Sequence, residues 1–383
     1  MSSVFRIFTS MKALNRHSIQ RGVGIAFVAA VALSGCKPDE EIPMGPDVNP
    51  QATPYTLVIP PFFPPMDIPS DNPLTVEGIQ LGRHLFWENQ LSLDGSISCG
   101  SCHLPNHGFS DPNTVSLGVN GTPGTRQSMA LMNLGWARDY FWDGRAATLE
   151  EQLLDPIPNP VEMNLPWPDA LERLRNDDLY PPMYQAAFGT TEITVDRTVK
   201  ALAQFLRTMI SKDAKFDKWR RGEYTMTDEE FRGYELFLRE GGDPDIVQGG
   251  EFGADCFHCH GEAGLQFSNY LPANNGLDSQ FSDLGVGAIT GNPLDNGKFK
   301  TPSLRNIELT APYMHDGRFT TLEEVVEHYN SGGQPSTTIS PFMKYTDGGL
   351  MLTPQSKADL VAFLKTLTDT EFTTNPAFSN PHD

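Results

Sequence analysis

Two short strings carry the densest chemistry in the chain, Cys99-Gly-Ser-Cys102-His103 and Cys256-Phe-His-Cys259-His260. Both read Cys-x-x-Cys-His. Thiols at that spacing lie along one helical turn, where each can add to a vinyl group of the same porphyrin. The His that follows reaches the iron from the same side. A four-Cys zinc site and a pair of redox dithiols compete for the same cysteines. Zinc ribbons separate their pairs by roughly 15–20 residues, whereas Cys102 and Cys256 lie far apart, and neither alternative needs a His after each pair. The pattern therefore favours two covalently bound c-type haems, ligated by His103 and His260.

Each iron then has a second axial position. Haems that only carry electrons hold two strong ligands, whereas haems that activate peroxide keep one face open. An internal repeat suggests one of each. Ser128-Met-Ala-Leu131-Met-Asn133-Leu134 parallels Thr301-Pro-Ser-Leu304-Arg-Asn306-Ile307. Nine residues after each Asn, Trp142-Asp143-Gly144-Arg145 parallels His315-Asp316-Gly317-Arg318, and Thr148-Leu149-Glu150-Glu151 parallels Thr321-Leu322-Glu323-Glu324. One Cys pair lies upstream of each copy. A period this long indicates tandem domains, not a solenoid.

The string Phe141-Trp142-Asp143-Gly144-Arg145-Ala146-Ala147, continuing through Gln152, Pro156 and Glu162-Met163, is similar to the N-terminal haem domain of the bacterial di-haem cytochrome c peroxidases. Lys300 to Asn330, with Thr301-Pro302-Ser303-Leu304-Arg305-Asn306, resembles their C-terminal domain, so the likeness runs from about Asp71 to Thr368. It implies that hydrogen peroxide is reduced at the His103 haem, with electrons supplied through the His260 haem by a small cytochrome c or copper protein. Glu162 matches the family's distal acid–base carboxylate, which moves a proton from one peroxide oxygen to the other. Gln152 matches the distal amide, and Trp142 the Trp between the haems. Unaided by the likeness, Glu162 reads as a solvated loop carboxylate and Trp142 as a core aromatic. The family also holds Ca2+ between its domains. The matching ligands are Gln127, where the family has Asn, and the carbonyls of Thr310 and Pro312, hard oxygen donors. Homodimers are common in the family.

Two positions depart from the peroxidases. Val119 stands where those needing prior reduction carry a blocking His, and Val cannot bind iron, so this haem is expected to be five-coordinate or to hold only water, with no activation switch; His107, four residues after His103, is the alternative distal ligand. Tyr329 stands where they place a Met ligand. A Tyr there resembles the protein-oxidising branch, whose best-known member matures the tryptophan-derived cofactor of methylamine dehydrogenase. A phenolate is a hard anionic donor that stabilises higher iron oxidation states. Packing of Tyr329, with His328, Met314 or Met343 as the ligand, is the alternative. That branch member carries a surface Trp two residues before its second haem motif, and Ala254 stands here. Oxidation or covalent modification of a partner protein is thus one alternative activity, and plain electron transfer between two six-coordinate haems another.

The elements that must position these residues are mainly helical. Apolar periodicity and caps predict helices at 75–87, 149–154, 169–176, 195–210, 228–239, 322–330 and 354–367. Thr148 with Glu151, Thr227 with Glu230 and Thr321 with Glu324 read as capping boxes. No run alternates convincingly as strand. His315, in the place of Trp142, is expected near the second haem, hydrogen-bonded and not iron-bound. His84, His258 and His328 read as structural. The fold class is mainly α and loop-rich, with 34 Gly and 31 Pro. It comprises two tandem cytochrome c-like domains related by duplication, at 73–224 and 225–383.

The first 35 residues read as a targeting segment. Arg6, Lys12, Arg16 and Arg21 precede the apolar stretch Gly22 to Leu33, too short to span a bilayer. Leu33-Ser34-Gly35-Cys36 resembles a bacterial lipoprotein signal in which Cys36 is acylated. An ordinary cleaved signal with an incidental Cys is the alternative. Lys37 favours outer-membrane sorting, so the expected place is the periplasm of a Gram-negative bacterium, with the lipid as the only membrane contact. Residues 36–72, rich in Pro, Asp and Asn, read as a tether that becomes an arm on the body near Tyr55 to Ile68. The net charge is −20, and residues 1–35 hold no acidic side chain. Such a surface repels nucleic acid and suits a basic or locally basic protein partner.

Overall fold

A computed structural model describes residues 48–241, 253–261 and 265–383. Cys36 and the leader expected before it lie outside the described residues. In chain order the helices are α1 (Val76–Phe86), α2 (Cys99–Cys102), α3 (Leu149–Leu153), α4 (Trp167–Asn176), α5 (Tyr180–Phe188), α6 (Val195–Thr208), α7 (Lys215–Arg220), α8 (Asp228–Leu238), α9 (Phe257–His260), α10 (Val286–Thr290), α11 (Leu322–Ser331), α12 (Pro354–Lys365) and α13 (Thr370–Thr373). Among the described residues the sheet is limited to β1 (Pro272–Ala273) paired antiparallel with β2 (Phe299–Lys300). No described helix is long and apolar enough to cross a membrane.

The predicted helices form, with ends shifted by a residue or two. Helix α5 was not expected, because Pro181 and Pro182 follow its first residue. Proline is tolerated in a first turn, where the missing N–H would be unpaired anyway. Thr227 with Glu230 and Thr321 with Glu324 close as reciprocal capping boxes. At α3 only half of the box forms. Thr148 accepts from the Glu151 N–H, but the Glu151 carboxylate reaches back to the Ala147 N–H at 2.8 Å.

The same packing device occurs twice. Helices α1 and α6 cross where Gly82 lies against the Ala201 carbonyl, and a Cβ there would sit 2.0 Å from that oxygen. Helices α8 and α12 cross where Gly233 meets the Asp359 carbonyl, with a Cβ 1.9 Å away. The repeat strings follow suit. Asn133 and Asn306 adopt left-handed φ of 58° and 55°. Their N–H groups donate to Met209 O and Leu367 O at 2.9 and 3.0 Å, while their Oδ1 atoms accept from Ser211 and Asp369. Tyr140 and Tyr313 each donate to a carbonyl six residues back, Leu134 O and Ile307 O, at 3.0 Å.

A reciprocal pair of main-chain bonds joins the two halves. Gln127 N–H donates to His315 O, and Lys300 N–H donates to Trp142 O, both at 2.8 Å. In the repeat alignment Gln127 corresponds to Lys300 and Trp142 to His315, so each half gives the other the same bond. Beside this seam Arg126 pairs with Asp143 at 2.6 Å and with Asp283 at 2.7 Å.

Two segments wrap the body. Trp136 Nε1 donates to Pro64 O at 2.9 Å and its ring lies 5.3 Å from that of Phe63. From α13 onward, Phe372 and Phe378 pack on Phe109, while Trp87 Nε1 donates to Phe378 O at 3.1 Å and Arg83 Nε to Ser379 O at 2.8 Å.

Neither Gly82 nor Gly233 has room for a methyl group. Gly82→Ala and Gly233→Ala are each expected to destabilise the haem-loaded protein by about 1–3 kcal/mol through overpacking, read as a lowered thermal unfolding midpoint. Gly95→Ala, at a positive φ but with nothing within 4 Å, is the control for backbone strain alone.

Candidate active site

Each Cys-x-x-Cys-His string forms one short helix, α2 or α9, with its thiols unbridged. Burial pushes the Cys99 and Cys256 thiols up to about 12 and Cys102 to about 11, so all three are protonated at neutral pH. The two histidines are held alike. His103 Nδ1 lies 3.0 Å from Phe109 O, and His260 Nδ1 lies 3.1 Å from Phe267 O. A carbonyl only accepts, so each proton sits on Nδ1 and each Nε2 keeps its lone pair for a metal. Burial lowers both histidines, His260 to about 4, which keeps them neutral as ligation requires. The accepting carbonyls belong to Phe109 and Phe267, at φ of 59° and 51°. A bulky residue in that region costs on the order of 1–3 kcal/mol, and such strain clusters at functional sites.

Around α9 lies a cavity of about 260 Å³. Cys256, Cys259 and His260 line it together with Tyr329, Met314, Met343, His315 and Trp142, among largely apolar walls. An apolar cavity with both thiols and a free imidazole nitrogen fits a covalently held haem. Tyr329 carries a half-buried phenol, pushed up to about 12 by desolvation, and lines the cavity together with Cys256 and Cys259. Asn275 Nδ2 lies 3.2 Å from its oxygen and 3.4 Å from Met314 Sδ. His328 Nε2 is bound to Asn275 O at 3.0 Å, and His328 is not among the residues lining this cavity. His315 reaches the cavity as expected, but its ring stacks on Phe299 at 3.7 Å.

On the other side, Glu162 faces the first Cys pair closely enough to raise both thiols. It is half-buried. Burial, helped by Asp155, pushes its carboxyl up to about 7, against the opposing Arg145 and a hydrogen bond from Asn159 Nδ2 at 2.8 Å. Val119 is buried and its N–H donates to Glu162 O at 2.9 Å. The approach is close because a Cβ on Gly118 would lie 2.3 Å from Val161 O. Gln152 lies on α3, half-buried, one turn of chain from Asp155. Trp142 sits at the seam, its indole N–H donating to Gln127 O at 2.8 Å.

Gln127, Thr310 and Pro312 share a cavity wall. The Gln127 amide N–H2 donates to Ser110 Oγ at 2.7 Å, which turns its Oε1 the other way. Sequence reasoning passed over Asn159 and Asn275, since neither belongs to a motif. It also passed over Glu240 and Asp255, which converge near the second Cys pair with His258, read as structural, and the Lys344 ammonium already sits among them.

The chain matches the family model described as di-haem cytochrome c peroxidase over residues 76–225. It is 37% identical over 313 residues to the methylamine utilization protein MauG of Methylorubrum extorquens, spanning 78% of this chain and 80% of that protein. It is 33% identical to the cytochrome-c peroxidase IdrP1 of Pseudomonas sp. strain SCT, over 93% of this chain and 94% of that protein. A crystal structure of a MauG-like protein associated with microbial copper homeostasis superposes with a TM-score of 0.76 at 36% identity, covering 86% of this chain and 100% of that one.

If the cysteines hold haem through thioether bonds, replacing both Cys256 and Cys259 by Ser should halve the haem that stays with the denatured chain. Intact mass and a haem-stained denaturing gel report this directly, and an unchanged mass would refute the attachment.

Proposed function

This chain belongs to the di-haem cytochrome c peroxidase family and is an oxidoreductase of that kind, and from that premise we propose that it reduces hydrogen peroxide at the His103 site. Electrons arrive through the His260 site from a small cytochrome c or copper protein docking on the acidic surface. The observation that carries this reading is Glu162, half-buried, held by Asn159 and facing the first Cys pair. Cys99, Cys102 and His103 would hold a c-type haem, which would supply the iron chemistry of peroxide reduction. Glu162 accepts the proton of the near peroxide oxygen and returns it to the departing one, which leaves as water. Asn159 fixes the carboxylate, and Gln152 holds peroxide or water beside it. Val119 fills the place next to Glu162 with an apolar group, so peroxide meets no side-chain ligand there. Trp142, anchored at the seam, is the bridge by which electrons cross between the halves.

Several further features belong to this reading. The matched Asn133/Asn306, Tyr140/Tyr313 and Gly82/Gly233 contacts support two haem domains, 73–224 and 225–383, arising from duplication. Gln127, Thr310 and Pro312 line one cavity, and their oxygens are the proposed ligands of a Ca2+ ion between the domains. Cys36 is the proposed lipid attachment, holding the protein at the periplasmic face of the outer membrane. Incorporation of labelled palmitate should be lost in Cys36→Ala.

Tyr329 supports a second reading, oxidation or modification of a partner protein. If Tyr329 held the second haem's iron, its phenolate would favour storing an oxidising equivalent over passing through a reduced iron. The 37% identity to MauG points the same way, whereas Ala254 lacks the aromatic side chain expected of that branch. The two are separated by mixing the fully oxidised protein with one equivalent of peroxide. The second reading expects reaction without prior reduction and a mass change in a protein partner, while turnover that requires only reduced cytochrome c supports the first.

Glu162→Gln should lower the second-order rate with peroxide by about 10²–10⁴-fold while leaving haem content unchanged. The wild-type rate should rise with pH through about 7, because only the ionised carboxylate accepts the proton and burial has raised its pKa to that value. The Gln variant should lose this limb. A stopped-flow pH series measures both, and a rate untouched by the substitution would remove Glu162 from the mechanism.

A further inference from the structure

The second haem cavity holds two side chains suited to an axial ligand, the Tyr329 phenol and the Met314 thioether, and one amide touches both. Asn275 Nδ2 lies 3.2 Å from Tyr329 Oη and 3.4 Å from Met314 Sδ. An NH2 group has two protons, so it can donate to the oxygen and to the sulfur at once. We infer that Asn275 is the positioning residue that sets which of these two side chains serves the His260 iron, an inference that rests on Tyr329 being the ligand. The proton shared with oxygen supports a phenolate, whose remaining lone pairs stay available. The proton shared with sulfur occupies one of its two lone pairs and draws electron density from it, which weakens the thioether as a metal donor.

The surrounding backbone is built to keep this amide in place. Asn275 O accepts from His328 Nε2 at 3.0 Å, one residue before Tyr329. On either side, Asn274 O accepts from Ser340 N and Gly276 O from Gln334 N at 2.9 and 2.7 Å. The Asn274 side chain donates to Ser336 and Thr338, tying the same strand end to the loop after α11. Gly276 has a φ of 72°, and a Cβ there would meet Gln334 N at 3.1 Å. Main-chain anchors thus carry the segment, and the Asn275 side chain is left to the two candidate ligands. Substituting it removes the donor without removing those anchors.

The test uses the full chain loaded with both haems, with Asn275→Leu of similar size and Asn275→Asp of the same shape. The readouts are the phenolate-to-iron charge-transfer band of the ferric protein, resonance Raman of the phenolate mode and the reduction potential of the second haem. Wild type should show the phenolate signature, and Tyr329→Phe should abolish it. A wild type without that signature overturns the ligand reading and this inference with it. With the signature present, both Asn275 variants should lose or weaken it and raise the potential, as a thioether replaces a phenolate. Adding Met314→Leu to Asn275→Leu should restore the signature by removing the competitor. Asn275 variants with wild-type spectra and potential would overturn the inference while leaving Tyr329 as ligand. A change that Met314→Leu fails to reverse would overturn the choice between ligands. If Asn275→Leu fails to load haem, Asn275→Asp decides on the same readouts.

Discussion

The two halves of this protein are held in register by a pair of main-chain hydrogen bonds that mirror each other, Gln127 N–H to His315 O and Lys300 N–H to Trp142 O. A self-complementary contact of this kind specifies relative position the way a two-fold interface does, since each bond can form only where the other also forms. Several described residues between the two Cys-x-x-Cys-His sites lie on or next to it. Trp142 is tied to it through its own carbonyl and through its indole N–H to Gln127 O. His315 gives it a carbonyl and stacks its ring on Phe299, beside Lys300. Arg126, next to Gln127, bridges Asp143 and Asp283 across it. Main-chain bonds resist sequence drift, so the side chains at the seam are free to differ between halves, and they do.

That freedom is where the halves acquire different chemistry. The proximal sides are nearly superimposable in logic, with a buried imidazole donating from Nδ1 to the carbonyl of a left-handed Phe. The opposite sides diverge. Beside the first Cys pair stands a carboxylate whose pKa is raised to about 7, with an apolar Val against its backbone. Beside the second stands a phenol held by an amide. A group that exchanges protons near neutral pH suits bond cleavage, whereas a half-buried phenol suits a fixed ligand.

Much of this was legible in the sequence because it depends on local spacing. The Cys-x-x-Cys-His strings, the repeat and the Thr caps each need only a few neighbouring residues, and the helices with clear 3.6-residue periodicity formed where predicted. What escaped depends on contacts between distant segments. Asn275 is an ordinary polar residue until α11 brings Tyr329 and His328 to it, and Asn159 until its turn places it under Glu162. Helix α5 was hidden because proline reads as a breaker unless its place in the first turn is known. The absence of an alternating strand pattern did not reveal the β1–β2 pair, since two residues are too few to alternate.

The segment after α12 has a consequence for how the protein is made. Phe372 and Phe378 close over Phe109, whose carbonyl orients His103, and Phe378 also caps Trp87, the ring against which Gly100 of the first haem helix is seated. The first site is therefore completed by residues synthesised more than 250 positions after it. As the chain is made the first Cys pair emerges early, yet its surroundings stay open until the far end of the chain arrives. A haem attached to that exposed segment would be sealed in afterwards, so cofactor loading can precede closure without a folded domain having to reopen.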